Sequence, residues 1–215
     1  MARKTKKDPV KGVQSGAAVS VPVLETHETA AEVRARNRKV RIEGTKFEKM
    51  IQRACLAYRR DGIAEISKIP EARRVVGRTG NRSSLMICAN AGKAHPDFMG
   101  TLAPTGKSIV FEAKHTDGDR IRQNAVSEFQ DELLTSHMKM GAVCFVMVSF
   151  EFKEFFRIPY SFWTDMKAQV GRKYLLPTDE AIQGFRMPLE TCMMAENEGD
   201  EPKPVEVVWF LPKPF

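Results

Sequence analysis

Apolar and polar positions along the chain fall into blocks whose periods predict their own secondary structure. Phe47, Met50, Ile51, Ala54, Cys55 and Tyr58 stand at offsets 0, 3, 4, 7, 8 and 11, which is one face of an α-helix. Asp61-Gly62 supplies a stop, and Ile63, Ala64, Ile66 and Ile69 then predict a strand leading to Pro70. Residues 71–92 are basic and punctuated by glycine, with an apolar patch at Leu85, Met86 and Ile87, and predict a projecting hairpin or stalk. Residues 96–102 and 107–113 flank the turn signal Pro104-Thr105-Gly106 and predict a β-hairpin. Residues 124–140, with Val126, Phe129, Leu133 and Leu134 on one side, predict a helix. A buried Val- and Phe-rich strand is predicted at 142–150, a strand at 154–158 and a helix at 160–170. A polar, acidic loop at 196–203 precedes a closing strand at 205–211. There is no internal repeat, and this order predicts one α/β domain, a central mixed β-sheet flanked by helices.

Before the first apolar stripe the pattern is different. Residues 1–28 mix Lys, Gly, Ser, Pro and Ala with few large apolar groups and predict a disordered basic arm; residues 29–41 predict a short basic helix. The chain therefore divides into an arm, 1–41, and a domain, 42–215, with 70–92 as a stalk-like basic insertion.

Charge sharpens the reading. The 215 residues carry a net +7, and residues 1–41 hold ten Lys or Arg against four Asp or Glu. Arg73, Arg74, Arg78 and Arg82 form a second basic cluster around Gly77 and Gly80, with Lys68 just before it. Nucleic acid is the expected partner, since neutralising phosphates releases counterions and demands little geometry. The apolar run 142–148 is less than half of the ~20 residues a membrane span needs, and the basic start is not followed by an apolar signal region. Cys55, Cys88, Cys144 and Cys192 are scattered with no CxxC, as expected of small core residues in a reducing compartment. A soluble, cytoplasmic protein with no membrane partner is expected.

Candidate chemistry lies on the predicted hairpin. Glu112 and Lys114 are two apart on one strand and so share a face, and folding at Thr105 sets Asp97 opposite Glu112. Two carboxylates and an ammonium would then converge. Hard carboxylate oxygens suit Mg²⁺, which lowers the pKa of a bound water and neutralises charge on a phosphate undergoing hydrolysis. A cation there also favours neutral Lys114, the form that can accept a proton from water. An ion pair between strands on the surface is the alternative. The apolar flank Ile109-Val110-Phe111 places these charges on a buried strand, where they are costly unless paired or metal-bound.

The blocks Phe47-Glu48-Lys49-Met50-Ile51, Ile63-Ala64-Glu65-Ile66-Ser67-Lys68-Ile69-Pro70, Asp97-Phe98-Met99-Gly100, Phe111-Glu112-Ala113-Lys114, Phe129-Gln130 and Gly141-Ala142-Val143-Cys144-Phe145-Val146 resemble, in order and close to spacing, the RecU Holliday-junction resolvases of the PD-(D/E)xK nuclease superfamily. The resemblance spans about residues 44–160. It implies a restriction-endonuclease-like fold, a homodimer and a Mg²⁺ site for which Mn²⁺ can substitute. Asp97 and Glu112 would be the metal ligands and Lys114 the water-activating residue; Glu48 would add a carboxylate near the metal, and Gln130 would order the site or the scissile phosphate. The stalk, with Arg73, Arg74, Arg78 and Arg82, would enter the centre of a four-way junction, and Lys68 would join it on DNA. His95 and Pro96 before Asp97, His115 after Lys114, Phe129 before Gln130 and a longer turn depart from the family pattern and mark a diverged member, cellular or phage-borne.

The expected function is structure-selective, Mg²⁺-dependent cutting of four-way junctions in recombination and repair, in the bacterial nucleoid or a phage-infected cell, alongside a recombinase or branch-migration partner. The alternatives are another nuclease of the same superfamily, acting as an exonuclease or a repair or restriction-like endonuclease, and a non-catalytic DNA-binding recombination protein.

Overall fold

The computed structural model describes residues 29–70, 73–78, 86–90, 95–197 and 199–212. The first element, α1 (Ala30–Arg60), is a single helix of 31 residues. Thr29 and Glu32 form a capping box at its start, each side chain accepting from the other's backbone N–H. Gly62, at φ +68°, turns the chain just past its end. The predicted stripe from Phe47 to Tyr58 is buried, whereas the basic first half is exposed. Residues 29–41 are thus the start of the core helix and not a separate one. Propagation adds a hydrogen bond for each residue fixed, and Gly44 costs about 1 kcal/mol without breaking the run.

Strand β1 (Ala64–Lys68) follows, then β2 (Arg73–Arg78) and β3 (Met86–Asn90), an antiparallel two-stranded ribbon with an irregularity between Val75 and Gly77. The ribbon occupies the predicted stalk and, among the described residues, pairs with no other strand. Arg73, Arg74 and Arg78 lie on β2; Arg82 and the arm 1–28 lie outside the described residues.

β4 (Phe98–Leu102) and β5 (Lys107–Thr116) make the predicted antiparallel hairpin. The chain then crosses through β6 (Ile121–Arg122), a 3₁₀ turn at Gln123–Ala125 and α2 (Glu128–Lys139) to β7 (Val143–Phe150), which runs parallel to β5. β8 (Glu154–Pro159) returns antiparallel to β7. The main sheet is therefore mixed, in the order β1-β4-β5-β7-β8. The helix expected at 124–140 starts later, because Ser127 caps it: its Oγ accepts from Gln130 N while Gln130 Oε1 accepts from Ser127 N.

The helix expected at 160–170 is two short helices, α3 (Tyr160–Thr164) and α4 (Met166–Val170), separated at Asp165. β9 (Tyr174–Leu175) pairs with β6, and α5 (Glu180–Gln183) follows. The closing strand, β11 (Lys203–Val208), pairs with β10 (Leu189–Met194) in a separate ribbon and not with the main sheet. Tyr58 seats the segment after it, its hydroxyl accepting from Phe210 N and Leu211 N at 3.0 and 2.9 Å.

Helices cover both faces of the sheet, giving two cores. On one face α1 and β11 pack over Phe98, Ile109, Phe111, Phe145 and Met147. The rings of Phe98, Phe111 and Phe145 stack across three strands at centroid separations of 4.9 and 4.6 Å. On the other face Val110, Val146 and Val148 pack with Leu134 of α2 and Trp163 of α3. Alternate residues of β5 thus enter different cores. Cys55, Cys144 and Cys192 are free thiols, the first two buried. Among the described residues no helix is long and apolar enough to cross a membrane.

Candidate active site

The register of the hairpin pairs Phe98 with Phe111, so one step further Asp97 faces Glu112. There the regular ladder gives way to carboxylate contacts. Ala113 N donates to Asp97 Oδ2 at 2.9 Å, and Asp97 N donates to Glu112 Oε2 at 3.1 Å. Asp97 O meanwhile accepts from Ile69 N at 2.7 Å, which ties the cluster to the end of β1.

Glu112 is 1% exposed, on the face of β5 that looks towards α2. Lys114, two residues on, reaches Glu112 Oε1 with its ammonium at 2.6 Å. Gln130, in the first turn of α2, donates from Nε2 to the same oxygen at 2.7 Å. The Ser127 cap orients that amide by engaging its oxygen, so the signal that starts the helix also aims the side chain. Burial, together with the Asp97 carboxyl beside it, pushes Glu112 up from an ordinary 4.5 to about 7, against the opposing pull of Lys114.

Asp97, Glu112, Lys114 and Gln130 are therefore brought together. Glu48 is placed otherwise: it pairs with Lys68. Lys68 stands opposite Phe98, in the α1 core, so this ion pair lies beside the Asp97–Glu112 cluster and on the other face of the sheet. Two contributors had no sequence signal of their own. One is the Ala113 N–H. The other is the backbone of His95, whose carbonyl accepts from Gln130 at 3.5 Å while its ring meets Phe129 edge-on.

His115 is satisfied internally. Its Nδ1 contacts Ser149 Oγ at 3.1 Å, its Nε2 contacts Asp117 Oδ1 at 3.0 Å, and its ring stacks on Phe152. Among the described residues, Glu43, His115 and Asp117 form the group of three whose potential ligand atoms all lie within 4.8 Å of one another. Lys39 of α1 already sets its ammonium there, 2.6 Å from Asp117 and 3.5 Å from Glu43. Lys39, and then His115, hold the Asp117 carboxyl down at about 2. This network ties the exposed half of α1 to the end of β5. Phe155, Phe156 and Trp163 are core residues rather than base-stacking platforms.

The donor set at Asp97 and Glu112 fits a hard divalent cation: two carboxylates converge, and one of them is buried, where its charge is costly. What the arrangement offers is a negative centre with an ammonium against it and an amide fixing its geometry.

A family model described as "RecU: Recombination protein U" matches residues 42–191. No curated protein matches the chain. Among solved structures, a similar chain is Archaeoglobus fulgidus Hjc, a Holliday junction resolvase from an archaeal hyperthermophile, at 16% identity and a TM-score of 0.34, with 56% of this chain and 75% of that one covered.

Proposed function

The chain belongs to the RecU family, and from that premise we propose that it is a structure-selective endonuclease resolving four-way DNA junctions by Mg²⁺-assisted phosphodiester hydrolysis. The observation that carries this reading is the buried Glu112, flanked by Asp97 and contacted by both Lys114 and Gln130. A structural ion pair has no use for a second carboxylate that raises the energy of the first.

Asp97 and Glu112 would hold the cation. Bound there, it would supply a water of lowered pKa and offset charge on the phosphate. Lys114 would orient the attacking water and offset charge on the phosphate, the water's proton passing to solvent as its oxygen forms the new bond to phosphorus. The ester oxygen leaves and is protonated from solvent. Gln130 keeps Glu112 in the orientation that faces Asp97, and the enclosing strands and α2 limit water around the cluster.

A four-way junction presents two strands of like polarity at symmetric positions, and a C2 homodimer would present two copies of the site in that relation. The β2–β3 ribbon is the part of the chain suited to enter the branch, with Arg73, Arg74 and Arg78 on β2 and Arg82 beyond it. Recognition would rest on phosphates and branch shape.

The test is cleavage of a labelled four-way junction with and without Mg²⁺, beside linear duplex and flaps. Asp97→Ala, Glu112→Ala and Lys114→Ala are expected to bind the junction yet cut it at least 100-fold more slowly. Normal cutting by either carboxylate variant removes the site assignment; preference for ends or flaps moves the chain to another nuclease role on the same residues. Neutralising Arg73, Arg74 and Arg78 is expected to weaken junction binding and reduce its salt dependence.

A further inference from the structure

A second basic feature stands apart from the stalk. β6 and β9 pair Ile121 with Leu175 and Arg122 with Tyr174. Ile121 and Leu175 are buried in the core beneath α2, so the alternate positions, Arg120, Arg122 and Tyr174, face outwards. Two guanidinium groups lie over the Tyr174 ring: Arg120 at 5.2 Å and Arg172 at 4.8 Å from its centroid. Each already has a carboxylate, Arg120 with Asp119 and Arg172 with Asp179. Arg122 and Lys173 do not. Both are exposed, and among the described residues neither side chain makes a hydrogen bond or an ion pair.

These two cations line an open cleft of about 590 Å³ between the ribbon and the first turn of α2. Gln123 stiffens one wall by donating to the carbonyls of Trp163 and Thr164 at 2.8 and 3.0 Å. Glu128 and Asp131 of α2 also line the cleft, and the Tyr160 hydroxyl engages Asp131. Their carboxylates repel an anion, which leaves Arg122 and Lys173 as the groups in the cleft that would hold one. The cleft offers no aromatic platform for a base, because Trp163, the aromatic residue that lines it, is 1% exposed. What fits is a run of phosphates read without regard to sequence.

The cleft lies on the catalytic side of the sheet. Ile121, Val126 and Leu175 share a core with Val110 and Val146, the face from which Glu112 and Lys114 project. Helix α2 stands between the two sites, with Gln130 on Glu112 and Glu128 in the cleft wall. We infer that the β6–β9 ribbon, through Arg122 and Lys173, grips the phosphate backbone of a duplex arm of the junction cut at Glu112. In naming the arm, the inference rests on the reading of the chain as a junction nuclease.

The experiment is a salt titration of junction binding in EDTA, read by fluorescence anisotropy, for the wild-type protein and Arg122→Ala/Lys173→Ala. Two lost phosphate contacts are expected to lower the slope of log K against log salt by about 1.8, and to weaken binding at 0.1 M salt by up to ~60-fold. Arg122→Gln/Lys173→Gln, which keeps polar side chains without their charge, should repeat the effect at an unchanged melting temperature. An unchanged slope overturns the inference whether or not the wild type cuts. A lowered slope in a protein that never cuts in Mg²⁺ upholds the grip and removes the nuclease reading instead.

Discussion

Replacing Glu112 with Gln should stabilise the metal-free protein at pH 8 and do much less at pH 5. Glu112 is 1% exposed, and burial beside Asp97 raises its pKa from 4.5 to about 7. A carboxyl whose folded pKa lies above its unfolded value binds its proton more tightly when folded. Its contribution to stability is complete below pH 4.5 and is lost as the pH rises through 7. One pH unit is worth ~1.36 kcal/mol, so the loss reaches roughly 3 kcal/mol at pH 8 and is under about 1 kcal/mol at pH 5. Glutamine carries no such proton. It also turns an NH₂ towards one of the donors that now face the carboxylate, Asp97 N on one oxygen or Lys114 and Gln130 on the other. That cost does not depend on pH in this range, so the difference between the two pH values isolates the titration. For a chain of this size each kcal/mol moves the melting temperature by about 2–4 °C. Thermal melts in EDTA should show the Gln variant gaining roughly 5–10 °C more, relative to wild type, at pH 8 than at pH 5. An equal shift at both values, or a larger gain at pH 5, would mean that Glu112 is not held above its ordinary pKa, and the electrostatic account of the site would be wrong.

Gly100→Ala should destabilise the protein by about 1–3 kcal/mol, because a Cβ there would lie 2.0 Å from the carbonyl oxygen of Glu65 on β1; urea unfolding checks this, and an unchanged midpoint refutes the close approach. Gln130→Ala should raise the Mg²⁺ concentration for half-maximal cleavage by about 10–100-fold, since the amide on Glu112 is lost. Mg²⁺ titration of the cutting rate reads this directly, and an unmoved midpoint removes Gln130 from the site. Asp117→Asn should speed amide hydrogen exchange in residues 30–42 while leaving β5 and β7 protected, because Lys39 loses its strongest partner; uniform exchange would mean that the network does not anchor the helix.

The parts legible in the sequence are those where one period dominates. The stripe from Phe47 to Tyr58 predicted the buried face of α1, and the hairpin turn predicted that Asp97 opposes Glu112. The first half of α1 was not visible as part of that helix, because residues 30–46 are mostly exposed and carry no stripe. The late start of α2 was hidden by Val126, an apolar residue that reads as helical although it lies ahead of the Ser127 cap. The partner of the closing strand was missed for a related reason. β10 is half-buried, with Met193 64% exposed, and its alternation is too weak to separate from a loop. Asp165 gives no sequence warning of the break between α3 and α4. In the candidate site, residue types pointed to Asp97, Glu112 and Lys114, whereas the contact of the Ala113 N–H with Asp97 is a property of register alone.

That register joins stability to chemistry. Along β5, Phe111 and Ala113 serve the α1 core while Val110, Glu112 and Lys114 serve the α2 side. A slip of one residue against β4 would send Glu112 and Lys114 under α1 and expel Phe111 from its stack between Phe98 and Phe145. Gly100 in turn fixes β4 against β1, where a Cβ would lie 2.0 Å from the carbonyl oxygen of Glu65. The features that fix the hairpin are therefore apolar or steric, and none of them needs the carboxylates. A buried Glu112 can be held at an electrostatic cost because packing elsewhere on the same two strands has already determined where it must sit.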